Sequence, residues 1–280
     1  MADDDNHVKL NLLVAYPYIT KALQDHVYNN REHVRFLLDS GAFTAWRAGK
    51  TIKLDDYYQC LESLRIRPWR YFTLDVVGDP HGSMRNYQSM LSKGYNPLPI
   101  FTRGEKLPVL DQYYETSDVV GIGGLVQTTG NKGFINGIMK QVGTRRVHWL
   151  GFTNFDYIKH YKPYMCDSSS WESGARYGRV KLYMGRGQFI AFGRSLFATK
   201  PSGAVLDRLH QLGFDPYVFR KASSWHGGDS PIRNLCAASA VALSIDIQQN
   251  IGTKMFIAAA TDYAVKMLTD QFKHQRKNRL

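Results

Sequence analysis

"RYFTLDVVGDPHGSMRNYQSMLSKGYNPLPIF", residues 70–101, contains one complete folding unit. A β-branched and aromatic run reaches Asp75, a Gly-Asp-Pro turn follows, and the helical stretch "SMRNYQSMLSKG" stops on a glycine, as helix C-termini prefer. A second apolar run, "PLPIF", begins at once. Strand, helix and strand joined so tightly must place the two strands parallel, because the helix has to cross back over the sheet.

The same unit recurs over the first two-thirds of the chain. The other strand candidates are "KLNLLVAY", "VRFLLDSG", "DVVGIGGL", "RVHWLGFT" and "PYMCDSSSW". Helix-like stretches, "LDDYYQCLESLR", "LPVLDQYYETS" and "KGFINGIMKQVG", lie between them. Seven such units fit a closed (β/α)8 barrel or an open doubly wound sheet. The polar residues discriminate. Asp39, Asp75, Arg103, Gly123, Gly124 and Asp167 all fall at C-terminal strand ends. In a barrel these ends converge on one face, where active sites are built. In an open sheet they would be strung along an edge, and only those near the switch point would meet. The reading is an α/β fold, a TIM (β/α)8 barrel.

After Gly178 the rhythm changes. "RVKLYMGRGQFIAFGR" alternates like a hairpin, and a mostly helical region follows. Within it "CAASAVALSI", residues 236–245, is too short to span a bilayer and reads as a buried helix. "TKMFIAAATDYAVKMLTDQF" reads as a closing amphipathic helix with a basic tail, "KHQRKNR". The division is residues 1–200 as barrel and 201–280 as a helical, basic C-terminal extension packed on it without a linker. That extension is a candidate source of the eighth strand and of a binding surface.

The chain has 280 residues, 44% hydrophobic and 21% charged, which excludes a disordered protein. Lys and Arg number 36 against 24 Asp and Glu, a formal charge of +12 that favours a polyanionic partner through counterion release. Three scattered cysteines, Cys60, Cys166 and Cys236, form no CxxC, which argues against a zinc module and a secreted disulfide scaffold. The acidic opening "MADDDNH" is no signal peptide, so the expected location is cytoplasmic, with no membrane partner.

Each motif has a plain local explanation. Asp39 in "LLDSGAFTAW" fits an Asx-turn, whereas Asp75 ends a run so apolar that its carboxylate is costly unless paired or working. Asp79 reads as a helix cap. The paired glycines of "GIGGLV" permit close approach to a ligand, although the dinucleotide spacing GxGxxG is absent. "CDSSSWESGARYG" could form an anion nest from its serines and Arg176, but Asp167 at its head would repel an anion and needs its own role. As a cap, a metal ligand or a nucleophile, Asp167 stays undecided by its neighbours. The aspartates lack local metal-binding grouping, so neither metal nor cofactor is expected. His81, His148, His160, His210 and His226 are read as surface or structural residues, none catalytic.

Taken in order, "DSGAF" at 39–43, "LD" at 74–75, "GIGGL" at 121–125 and "CDSSSWESGARYG" at 166–178 resemble the motifs of the tRNA-guanine transglycosylase superfamily. The resemblance spans roughly residues 35–180 and implies a TIM barrel that exchanges nucleobases, a pentosyltransferase. It implies Asp167 as nucleophile on C1′ and Asp39 as general acid/base. Asp75, Ser40, Gly41, Phe43, Arg103, Gly123, Gly124 and Leu125 would bind the base, with Phe43 stacking on the ring. Ser168, Ser169, Ser170, Arg176 and Arg179 would position the nucleic-acid backbone.

The bacterial tRNA enzymes of this family carry a Cys/Cys/Cys/His zinc site near the C-terminus. This chain has only Cys236 there, and "TRGE" stands where the family has "QGG". A zinc-less, basic chain is most similar to the relatives that insert 7-deazaguanines into DNA in phage and DNA-modification systems. The implied partners are DNA, with tRNA as the alternative, and a free 7-deazaguanine base of the preQ0/preQ1 kind. A homodimer is left open, as is an inactive barrel that only binds nucleic acid.

Overall fold

The alternation of strand and helix is realised in the computed structural model, which describes residues 7–125, 132–199, 201–226 and 230–277. Seven strands follow the expected runs: β1 (Leu10–Ala15), β2 (Val34–Asp39), β3 (Arg70–Tyr71), β4 (Ile100–Phe101), β5 (Val119–Ile122), β6 (Arg146–Trp149) and β7 (Met165–Ser168). The intervening helices are α1 (Lys21–Asn29), α2 (Ala42–Arg47), α3 (Leu54–Ser63), α4 (Pro80–Ser92), α5 (Leu107–Tyr114), α6 (Lys132–Val142) and α7 (Phe155–Tyr161). Asp79 caps α4 as its sequence suggests, accepting a hydrogen bond from the Gly82 N–H at 2.9 Å.

Beyond β7 the chain leaves the barrel through α8 (Trp171–Tyr177) and the antiparallel hairpin β8 (Arg179–Gly185) and β9 (Gln188–Gly193). It continues through α9 (Arg194–Thr199), α10 (Gly203–Gln211) and the long α11 (Pro231–Asn250). It then re-enters as β10 (Lys254–Ala258), the eighth barrel strand, and closes with α12 (Asp262–Lys277). The stretch "TKMFIAAATDYAVKMLTDQF" is therefore not one helix: its first part is a strand. "KMFIA" is buried on both faces and so lacks the period-two alternation that would have marked it, while the alanines after it imitate a helix. The helical segment is bounded by barrel strands on both sides, an insertion between strands seven and eight.

The eight strands are all parallel, in the spatial order β3-β2-β1-β10-β7-β6-β5-β4. The two ends of this sheet meet. Phe72 pairs in parallel with Leu98, the Leu98 N–H donates to the Tyr71 carbonyl at 2.8 Å, and the Thr73 N–H donates to the Leu98 carbonyl at 2.9 Å. These bonds close the barrel.

Alternation along the strands separates two cores. Leu13, Leu37, Phe72, Leu98, Ile100, Val119, Met165 and Phe256 fill the barrel interior, and a larger cluster lies between strands and helices. Gly121 is required there: a Cβ would sit 2.9 Å from Leu150 Cδ1 and 3.1 Å from Phe72 Cε1. Cations on aromatic faces fill the interior's N-terminal end, where Arg35 lies over Trp69 and Lys254 over Tyr164. Thirteen of the twenty residues of α11 are buried, as the apolar run of that segment requires. No helix among the described residues is long and apolar enough to cross a membrane.

Candidate active site

With the far end of the barrel filled, chemistry is confined to the C-terminal mouth. Inward positions alternate along each strand, so Leu37 and Asp39 on β2, and Met165 and Asp167 on β7, point into the interior. Asp75 follows β3. Three carboxylates from three separated sequence segments thus share one opening.

Their electrostatics show the convergence. Burial, the Asp75 charge and then the Asp167 charge push the Asp39 carboxyl up to about 7, against the pull of the Gly41 and Ser40 N–H groups. Burial also raises Asp75, partly offset by Ser40. The Ser40 hydroxyl, fully buried, donates to Asp75 Oδ1 at 3.1 Å and accepts from the Ala42 N–H at 3.4 Å. The Gly41 N–H donates to Asp39 Oδ2 at 3.0 Å, so the Asx-turn suggested by the local sequence also forms. Gly41 itself has φ +75°, and a Cβ there would come within 2.3 Å of Pro17. Only glycine lets that turn press against the loop after β1.

Asp167 is held differently. Its Oδ1 accepts from His148 Nε2 at 2.8 Å and from the Gly151 N–H at 3.0 Å. Among the described residues Oδ2 has no hydrogen-bond partner. One oxygen is anchored and the other is free to act. His148 is wholly buried on β6, with Phe72 edge-on at 5.0 Å and Phe256 at 6.2 Å. Donation to a carboxylate requires the proton on Nε2. His148, expected from sequence to be a surface or structural residue, is the residue that orients Asp167. A signal existed: it is the one polar, titratable side chain between Val147 and Trp149 in the "VHW" of β6.

The remaining expected base-binding residues divide. Leu125 is buried, and Gly124, with φ +76°, lies against Arg103, whose Cβ is 2.8 Å from where a Gly124 Cβ would be. The Gly123 N–H is spent in the barrel ladder, donating to the Phe101 carbonyl at 2.8 Å, so it is not free for a ligand. Arg103 is exposed and its guanidinium lies over Phe134 at 5.4 Å, not among the carboxylates. Phe43 is 58% exposed at the start of α2 and stacks at 5.8 Å on Trp46, which is 57% exposed. This pair forms an aromatic platform beside the mouth, of which only Phe43 was expected from the motif.

Of the expected backbone-contact residues, Ser168 is buried and points away from the barrel interior, while Ser169, Ser170, Arg176 and Arg179 are exposed. Among the described residues no group of three or more His, Cys, Asp or Glu is disposed to hold a metal ion. Neither a scan of protein-family models nor a search of curated proteins finds a match for this chain.

Proposed function

We propose that the chain is a nucleobase transglycosylase that exchanges guanine in DNA for a 7-deazaguanine derivative through a covalent aspartyl-glycosyl intermediate. The observation that carries this reading is the pairing of two unlike carboxylates at one mouth. Asp167 has one oxygen anchored by His148 and Gly151 and the other free, while Asp39 is raised to about 7. A nucleophile and a proton carrier are what a double displacement at a glycosidic carbon needs. The four motif resemblances in chain order, and the +12 charge, point the same chemistry at a nucleic acid.

In the first step Asp167 Oδ2 attacks C1′ of the target nucleotide, forming the C1′–O bond as the C1′–N bond to guanine breaks. Protonated Asp39 gives its proton to the departing base. In the second step the incoming base gives its N–H proton to Asp39 and attacks C1′, and the ester bond breaks to regenerate the Asp167 carboxylate. Two inversions yield net retention. Asp75, bridged to the Asp39 turn by Ser40, accepts from the base's N–H edge. The target base leaves its stack to enter the mouth, at a cost that the exposed Phe43–Trp46 pair offsets by stacking on neighbouring bases.

Radiolabelled guanine or preQ0 is incubated with the protein and either duplex DNA or unmodified tRNA. Label is expected in DNA, and none with Asp167→Ala. Label in tRNA alone would transfer the proposal to the tRNA reaction. Label in neither polymer would remove it.

A further inference from the structure

A second opening lies on the other face of β7. Neighbouring residues on a strand point to opposite sides, so Asp167 faces the barrel interior and Ser168 faces outward. The outward side lines a cleft of about 400 Å³ between the barrel wall, α7, α8, α11 and the β8–β9 hairpin. That volume is in the range of small-molecule sites, in a fold whose interior is otherwise filled by side chains.

The cleft is built and held. At the hairpin turn Gly187 has φ +78° and lies so close to Phe155 that a Cβ would sit 2.3 Å from its ring. The hairpin therefore ends directly on the first turn of α7. At the other end Gly174 brings α8 against β8 and α11, where a Cβ would meet Arg179 O at 2.9 Å and Cys236 Sγ at 2.6 Å.

Its chemistry is cationic and aromatic. Arg179 and Lys181 lie two apart on β8 and so share a face, and both line the cleft. Neither has an ion-pair partner among the described residues; Lys181 lies over the Phe189 ring at 4.3 Å. The Ser170 hydroxyl accepts from Ser168 Oγ at 2.8 Å, which leaves its own proton to donate. Among the described residues Asp156 is the one carboxylate lining the cleft, against two cations. Phe155, Phe189 and Trp171 supply flat apolar walls. Paired cations with a hydroxyl donor suit a phosphate, and aromatic walls suit a planar base.

We propose that this cleft is a subsite for a nucleotide flanking the reacting one on the same strand, its phosphate on Arg179 and Lys181 and its base against Phe155 and Phe189. The inference rests on the proposed base exchange, which places the reacting nucleotide at Asp167, on the opposite side of the same strand end. It adds that recognition extends beyond the exchanged base, to a neighbour whose seat is formed by the inserted hairpin.

The test uses the full-length protein, a single-stranded DNA pentanucleotide with guanine at its centre, and the double variant R179Q/K181Q, both of whose positions are exposed on β8. The variant is expected to weaken pentanucleotide binding about 10- to 100-fold. It should also flatten the salt dependence by about 0.7 for each phosphate that is no longer neutralised, while leaving the binding of guanosine unchanged. A pentanucleotide carrying 5-bromouracil next to the guanine should photo-cross-link to peptides containing Phe155 or Phe189. Unchanged affinity and salt slope in the variant, or cross-links that fall only elsewhere, would overturn the subsite and leave the exchange reaction standing. Binding that weakens in the variant with no exchange in any polymer would overturn the reaction and retain the subsite. No pentanucleotide binding by the wild type at low salt would overturn both.

Discussion

Replacing Asp39 by Asn should stabilise the protein, and by an amount that grows with pH. An ordinary Asp ionises near 3.8, and in the folded protein Asp39 is pushed up to about 7 by burial and by the charges of Asp75 and Asp167. The sign follows from proton linkage. Between these two values the unfolded chain has released the proton while the folded chain still holds it, so stability falls as pH rises through the folded value. Above about pH 8 both states are ionised and the full cost is in place. A difference of about three pH units corresponds to roughly 4 kcal/mol, an upper limit because water at the mouth screens part of it. At pH 5 less than half of that cost has developed. Asparagine is nearly isosteric, keeps an oxygen to accept the Gly41 N–H, and carries no charge. Urea unfolding of wild type and D39N at pH 5 and pH 8.5 measures the effect directly. The stability gain should widen by roughly 2–3 kcal/mol between the two conditions, and base exchange should be lost in the same variant. A gain of equal size at both pH values would show that Asp39 titrates normally, and the assignment of a raised acid at this mouth would fail.

Asp75→Asn removes the larger of the two charges acting on Asp39, so the Asp39 carboxyl, followed by carbon NMR, should titrate at lower pH than in wild type. His148→Phe removes the donor to Asp167 Oδ1 and should slow exchange about 10- to 100-fold with little change in KM. His148→Gln should recover part of the lost rate, and part of the Asp167-glycosyl adduct that denaturing gels detect after acid quenching, which a purely structural role would not predict. Gly121→Ala should cost about 1–3 kcal/mol, read as a lower Tm, because its methyl overlaps Leu150 and Phe72; an unchanged Tm would contradict the packing described for the interior. Removing both rings in F43A/W46A should weaken single-stranded DNA binding about tenfold or more. Equal binding by that variant would make the exposed platform irrelevant to nucleic acid.

What the chain discloses in advance depends on how local the cause is. Strands β1 to β7 were legible because each is a short apolar run ending in a polar turn, and the Asp39, Asp75 and Asp167 positions because each marks such an end. The hairpin alternated visibly. The eighth strand was hidden since "KMFIA" is buried on both faces, and a double-sided strand has no period of two. His148 was missed for a different reason. Its role comes from pairing between β6 and β7, where His148 aligns with Met165, two residues before Asp167. That register is a fact of tertiary structure: the apolar neighbours Val147 and Trp149 single His148 out, but nothing adjacent to it in sequence names Asp167 as its partner. The commitment of the Gly123 N–H to Phe101 was likewise decided across strands. Exposure of Phe43 could not be read locally either, because an aromatic after a strand is as often core as platform.

The coupling among the three carboxylates gives the arrangement a direction. Asp39 holds its proton partly because Asp167 is charged nearby. Forming the glycosyl ester in the proposed reaction neutralises Asp167, which removes one of the two charges raising Asp39. The proton is therefore released most readily when the nucleophile has spent its charge on C1′ and the departing base needs protonation. In the second half the order reverses: as the ester breaks and Asp167 regains its charge, Asp39 again favours the protonated form and draws the N–H proton from the incoming base. Asp75 keeps the resting value high throughout, and the His148 and Gly151 donors hold Asp167 Oδ1 so that the charge that comes and goes is carried toward the free oxygen. Two aspartates of ordinary chemistry are made unequal by their surroundings, and in the proposed exchange the charge on Asp167 sets the protonation of Asp39 in each half.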